Sequence, residues 1–202
     1  MKPNTSTQQT VINLLKKKAV IRPRDLAPLN IARTTLSRLC TQGVVQKVGH
    51  GLYRLADAEV SEHDMLIEAC KSVPNGAICL LSALRFHGLT TQSPHQIWIA
   101  IDVKARIPKT ELPIKFIRFS GPALLQGVLT RKLRGATIRV YSPAKTVADC
   151  FKFRNKIGLD VAMEALRECQ SKKLCGMDEL WKYANICRVS NVMRPYMEAM
   201  TL

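Results

Sequence analysis

IARTTLSRLCTQGVVQKVGHGLYRL, residues 31–55, reads as one amphipathic helix followed by a hairpin. The helix is expected over residues 31–42, stopping at Gly43, since glycine readily takes the left-handed turn that ends a helix. At 100° per residue, Ala32, Leu36, Leu39, Cys40 and Gly43 fall on one side. Thr34, Arg38 and Thr41 fall on the other, flanked by Thr35, Ser37 and Gln42. The outward side carries no acid, so such a helix can enter a major groove without repelling phosphate. Arg38 could pair with a guanine edge, and the hydroxyls could reach phosphates or bases. Residues 44–48 and 52–55 are short β runs around Gly49-His50-Gly51, the pattern of a hairpin. Lys47, His50 and Arg54 would line that wing.

The segments upstream complete a known arrangement. Val11, Ile12, Leu14 and Leu15 form an apolar stripe, and Lys16, Lys17 and Lys18 crowd the end of the same segment, where cations suit the helix dipole. Pro23 is placed to open a short second helix. Helix, short helix, helix and hairpin make a winged helix-turn-helix over residues 1–56. Ten basic residues there, Lys2 among them, face the single acid Asp25, giving +9 of the chain's +16. A solvated face normally mixes both signs. The imbalance points to a polyanionic partner, double-stranded DNA, with Arg33, Thr34, Thr35, Ser37, Arg38, Thr41, Lys47, His50 and Arg54 as the contact set. A winged helix that binds only proteins is the alternative on the same fold.

Residues 57–202 read differently. At 202 residues and 47% hydrophobic content the chain suits two small domains with a core each. Asp57, Glu59, Glu62 and Asp64 form an acidic patch, read either as a linker or as the start of a helix. Helices are expected over 65–72 and 77–87, then strands over 97–101 and 114–119. Two further strands, 128–133 and 137–141, flank Arg134-Gly135-Ala136, and helices follow over 143–153, 159–170, 177–186 and 192–200. Ser142 would cap the first of these last helices, with Pro143 at its first position. This order suggests an α+β domain, a small mixed sheet covered by helices. No apolar run approaches the roughly 20 residues of a membrane span, and the N-terminus has no apolar signal core. The expectation is a cytoplasmic protein without a membrane partner. Seven scattered cysteines without a C-x-x-C pair are expected to be reduced thiols.

Two stretches in the second half carry a resemblance: SALRFHGLT, residues 82–90, and SPAKTVADCF, residues 142–151. With the upstream winged helix, the chain resembles the AbiEi antitoxin family, the antitoxin and transcriptional-regulator half of type IV toxin-antitoxin systems. The resemblance implies that the N-terminal domain represses its own operon by binding promoter repeats. It implies that the C-terminal domain counters a nucleotidyltransferase-like toxin without a stable complex, and that the chain is no enzyme and needs no cofactor or metal. The motif residues Ser82, His87, Thr90, Pro143, Lys145, Thr146 and Asp149 would serve structure or the antitoxin function. For His87, bonding to the last helical carbonyls is the plain reading. Lys145 and Asp149 would form an ordinary i,i+4 pair in the less favourable orientation, or Asp149 would bond a neighbouring loop. Arg118, Arg131, Lys132, Arg134 and Arg139 offer a second basic surface, solvated or in contact with nucleic acid.

One signal points to an enzyme instead. Asp102-Val103-Lys104 follows an expected strand, the placement in which magnesium nucleases use an acid to hold the metal and a lysine to polarise water. Such a site needs a second carboxylate. Glu111 is near in sequence, but no strand is expected behind it.

Overall fold

The computed structural model describes residues 5–49 and 51–200. The chain is α+β, a winged helix-turn-helix followed by a mixed domain. It divides into two compact units, and the expected boundary at residue 56 is not where they part. The first comprises Met1–Pro74, Pro108–Pro113 and Arg131–Ile138, and the second Asn75–Ile107, Ile114–Thr130 and Arg139–Leu202.

In the first unit, α1 (Thr5–Lys18) is followed by a 3-10 helix, Pro23–Leu29, opened by its proline as the sequence predicts. The next helix, α2 (Thr34–Thr41), starts three residues later than expected. The wing is β1 (Val45–Gly49) antiparallel to β2 (Leu52–Leu55), and Ile21 bridges to Tyr53 on its outer side. Val11, Leu15, Ile21, Leu26, Leu36, Leu39 and Val45 make the core, drawn from the three helices, β1 and the bridging Ile21. Burial of these side chains, at roughly 1.5–3 kcal/mol each, holds three short helices that would be marginal alone.

The acidic patch turns out to start a helix. In α3 (Glu62–Ser72), the Ser61 hydroxyl accepts from the Asp64 amide at 3.2 Å and the Asp64 carboxylate accepts from the Ser61 amide at 3.1 Å. This reciprocal box satisfies two amides that the first turn leaves without partners. The far end of α3 is tied to the winged helix. Lys71 Nζ donates to the Val20 carbonyl and lies 3.8 Å from Asp25, and Arg22 donates to the Lys71 carbonyl. Burial, the largest cause in each case, holds both cations below their ordinary pKa.

The second unit begins with β3 (Ala77–Ile78) and α4 (Leu80–His87), where a single helix over 77–87 is expected. The apolar run splits because Ala77 and Ile78 pair with Ala100 and Ile99, and Ile78 pairs with Val140 on its other side. Next along the chain come β4 (Ile97–Asp102), β5 (Ile114–Phe119), the short α5 (Pro122–Leu125), β6 (Val128–Leu133) and β7 (Ala136–Tyr141), of which Arg131–Ile138 belong to the first unit. The sheet order is β5-β4-β3-β7-β6. Both central residues of the β6–β7 turn, Arg134 and Gly135, have positive φ, 45° and 70°. Such turns match the twist of the strands they join. Five helices follow: α6 (Pro143–Lys152), α7 (Arg154–Ile157), α8 (Leu159–Ser171), α9 (Met177–Cys187) and α10 (Ser190–Glu198). Residues 144–151 are all buried, so α6 runs through the core, with α4, α8 and α9 packed against it.

Candidate nucleic-acid interface

The local sequence sets the outward face of α2. Leu36 and Leu39 are 1% exposed and anchor the helix, which leaves Arg33, Thr34, Ser37 and Thr41 in solvent. Thr35 was expected beside that face and is instead 8% exposed, turned inward with Leu36 and Leu39. At 100° per residue Thr35 lies about 40° from Leu39, one turn before it, so it shares the apolar side, while Ala32 is an exposed residue ahead of the helix. Arg38 is half-buried, and its buried Nε has no hydrogen-bond partner among the described residues. Lys47 is exposed on β1. His50 lies outside the described residues.

Arg54 is a different case from Lys47. Its side chain is 23% exposed, and its Nη1 lies 3.9 Å from the Glu68 carboxylate on α3, itself 3% exposed. With the Gln46 amide oriented oxygen-inward, Arg54 also donates from Nε at 2.8 Å and Nη2 at 3.2 Å. Burial pushes the Glu68 carboxyl above its ordinary range, and Arg54 opposes that shift. Both residues line a cavity of about 520 Å³ together with Asp64 and Arg134.

The five cations of the second basic set have different surroundings. Arg118 donates to the carbonyls of Asp102, Val103 and Ala105, closing the loop after β4. Arg134 donates to both oxygens of Asp64, at 2.7 and 2.6 Å. Arg139 is half-buried, and Arg131 and Lys132 are exposed. A residue's charge reveals none of this, because each partner lies far away in sequence.

The two motifs of the second unit meet at one atom. His87 Nε2 lies 2.7 Å from the Tyr141 carbonyl, which also accepts from the Thr146 hydroxyl at 3.4 Å. His87 therefore reaches across 54 residues, beyond the carbonyls of its own helix end. Ser82 accepts from the Trp98 amide at 2.9 Å and ties α4 to β4, Gly88 ends α4 with φ 65°, and Thr90 lies 3.5 Å from Glu164. Pro143 opens α6, as its sequence position implies.

Lys145 and Asp149 are more than a surface pair. Both are 0% exposed, with Nζ 2.6 and 2.5 Å from the two carboxylate oxygens. Nζ also sits 4.1 Å from the Tyr141 ring centroid and 4.8 Å from that of Phe119, a cation–π arrangement. The Cys187 thiol lies 3.3 Å from the same carboxylate and is pushed up to about 12, chiefly by burial. Burial also raises the Asp149 carboxyl, with Lys145 the main opposing influence. Gly127 makes room for this cluster. A Cβ there would lie 2.8 Å from Lys145 Cβ, and its φ of +79° disfavours any side chain. Gly127→Ala is therefore expected to cost roughly 2 kcal/mol or more, read by urea denaturation.

Asp102 Oδ1 accepts from the Lys104 amide at 2.7 Å, so the carboxylate closes its own turn. Among the described residues, no group of three or more His, Cys, Asp or Glu could hold a metal. No described helix is long and apolar enough to cross a membrane. The cysteines depart from expectation at one place: Cys169 and Cys175 form a disulfide, their Cα atoms 6.2 Å apart across the turn after α8.

Residues 9–56 match the model of a family described as transcriptional regulator, AbiEi antitoxin. The match falls on the winged helix. No curated protein matches the chain.

Proposed function

We propose that this chain is an AbiEi-family DNA-binding repressor of its own operon and the antitoxin of a type IV toxin-antitoxin system. Its first unit holds operator DNA through α2 and the wing. Its second unit counters a nucleotidyltransferase-like toxin without a lasting complex, acting in the cytoplasm. The observation that carries the DNA half is the exposed face of α2, where Arg33, Thr34, Ser37 and Thr41 stand in solvent with no acid among them. A helix presented this way meets phosphates and base edges at once, and the Nε of Arg38 behind it has no partner among the described residues. The toxin half rests on the motifs of the second unit and on the family match. The function is binding throughout, and Asp102 and Lys104 have no catalytic part in it.

Arg38→Ala is expected to weaken binding of the promoter duplex by roughly 1–3 kcal/mol. A gel-shift titration checks this, and equal affinity for variant and parent would remove Arg38 from the interface. Loss of growth rescue in cells carrying the neighbouring toxin gene, on deletion of residues 139–200, tests the toxin half.

A further inference from the structure

We propose that Arg54 is a positioning residue that holds the wing against α3 through Glu68, and that it makes no phosphate contact. The inference rests on the DNA-binding reading and reverses the part the sequence gives Arg54 within it. Three observations carry it. The guanidinium is engaged on two sides, by Gln46 of β1 and Glu68 of α3, so its donors are directed into the unit. Glu68 is 3% exposed, and a buried carboxylate is costly unless a cation stays near it. Among the described residues, Arg54 is the cation within ion-pair distance of it. Moving Arg54 out to a phosphate would leave that carboxylate unpaired.

A second pair repeats the device. Asp64, one helical turn before Glu68 on α3, is 6% exposed and holds Arg134 by both oxygens. One acidic face of α3 thus fastens two arginines from separate stretches of chain, the wing and the β6–β7 turn. These acids look unsuited to a DNA-binding unit, yet their charge is matched inside it. Lys47 on β1 is exposed and remains the wing's cation for phosphate.

The decisive measurement is the sign of the Glu68→Gln effect. The probe is a fluorescein-labelled duplex of the DNA immediately upstream of this chain's reading frame. Removing a negative charge should strengthen DNA binding if only the general field matters, or if Arg54 is thereby freed for phosphate. The latch requires the opposite, a loss of roughly fivefold, the scale of one ion pair. Arg54→Ala should lose about as much, Arg54→Lys should not restore it, and the double variant should lose no more. Lys47→Ala should cost less in the Arg54→Ala background than in the parent, because a wing out of place has already lost its phosphate. A purely structural role would not produce that coupling. Tighter binding by Glu68→Gln, rescue by Arg54→Lys, or additive losses from Arg54→Ala and Lys47→Ala would overturn the proposal. Where Glu68→Gln fails to fold by circular dichroism, the Arg54 and Lys47 cycle decides. If the parent protein does not retain the duplex, the DNA-binding reading fails, and amide exchange decides the latch. Residues 53–55 should then exchange faster in Arg54→Ala, and unchanged exchange would reject it.

Discussion

Replacing Asp149 with alanine is expected to lower the stability of the second unit by about 3–5 kcal/mol, the scale for leaving one buried charge without its partner. Lys145 and Asp149 are closed off from solvent on α6, which is buried along its length. Removing water from two charges costs several kcal/mol each, and their short contact with the added thiol and ring faces offsets that cost. Deleting one partner keeps the desolvation and removes the offset. The pair as a whole need not be worth much, so Lys145→Met with Asp149→Leu should recover most of the loss. Urea denaturation of the four proteins forms the cycle. A drop below about 1 kcal/mol for Asp149→Ala would mean that water reaches the pair.

This pair also shows where sequence reading reaches its limit. The order of elements in the first unit is legible because each is local and punctuated: Pro23 opens one helix, and Gly43 follows another at φ +71°. The wing follows from two short β runs around a glycine turn. Thr35 is one turn before Leu39 and therefore shares its buried side, a relation the spacing carries although a threonine suits a polar edge as well. β3 was hidden inside an apolar run that suits a strand or a buried helix equally, and periodicity does not separate them. Lys145 and Asp149 did carry a signal. It pointed the wrong way: with Lys152 they fall within about 60° of one another at 100° per residue, the pattern of a solvated stripe, whereas the structure buries both. The contacts His87 to Tyr141, Arg54 to Glu68 and Arg134 to Asp64 had no comparable signal. Each joins residues far apart in the chain, and residue type alone does not announce a partner.

Binding of the promoter duplex is expected to weaken about 10³-fold between 50 and 200 mM salt, with a log–log slope near −5. The sequence alone permits six to ten phosphate contacts and a loss of roughly 10³–10⁵. The structure narrows the range by separating engaged cations from available ones. Arg22, Arg54, Lys71 and Arg134 of the first unit are each held by a carbonyl or a carboxylate within it. The exposed cations of the winged helix are Lys16, Lys17, Arg24, Arg33 and Lys47, and with the half-buried Arg38 on α2 they make six candidates for phosphate. Six contacts at about 0.9 released ions each give that slope, and a fourfold rise in salt converts it to the stated loss. Fluorescence anisotropy at four or five salt concentrations measures the slope directly. A value beyond about −8 would require further cations, with Arg131 and Lys132 first in line because both are exposed at the β6–β7 turn. A slope near zero would mean that the winged helix does not hold DNA by its phosphates. The protein-binding adaptor reading would then replace the repressor.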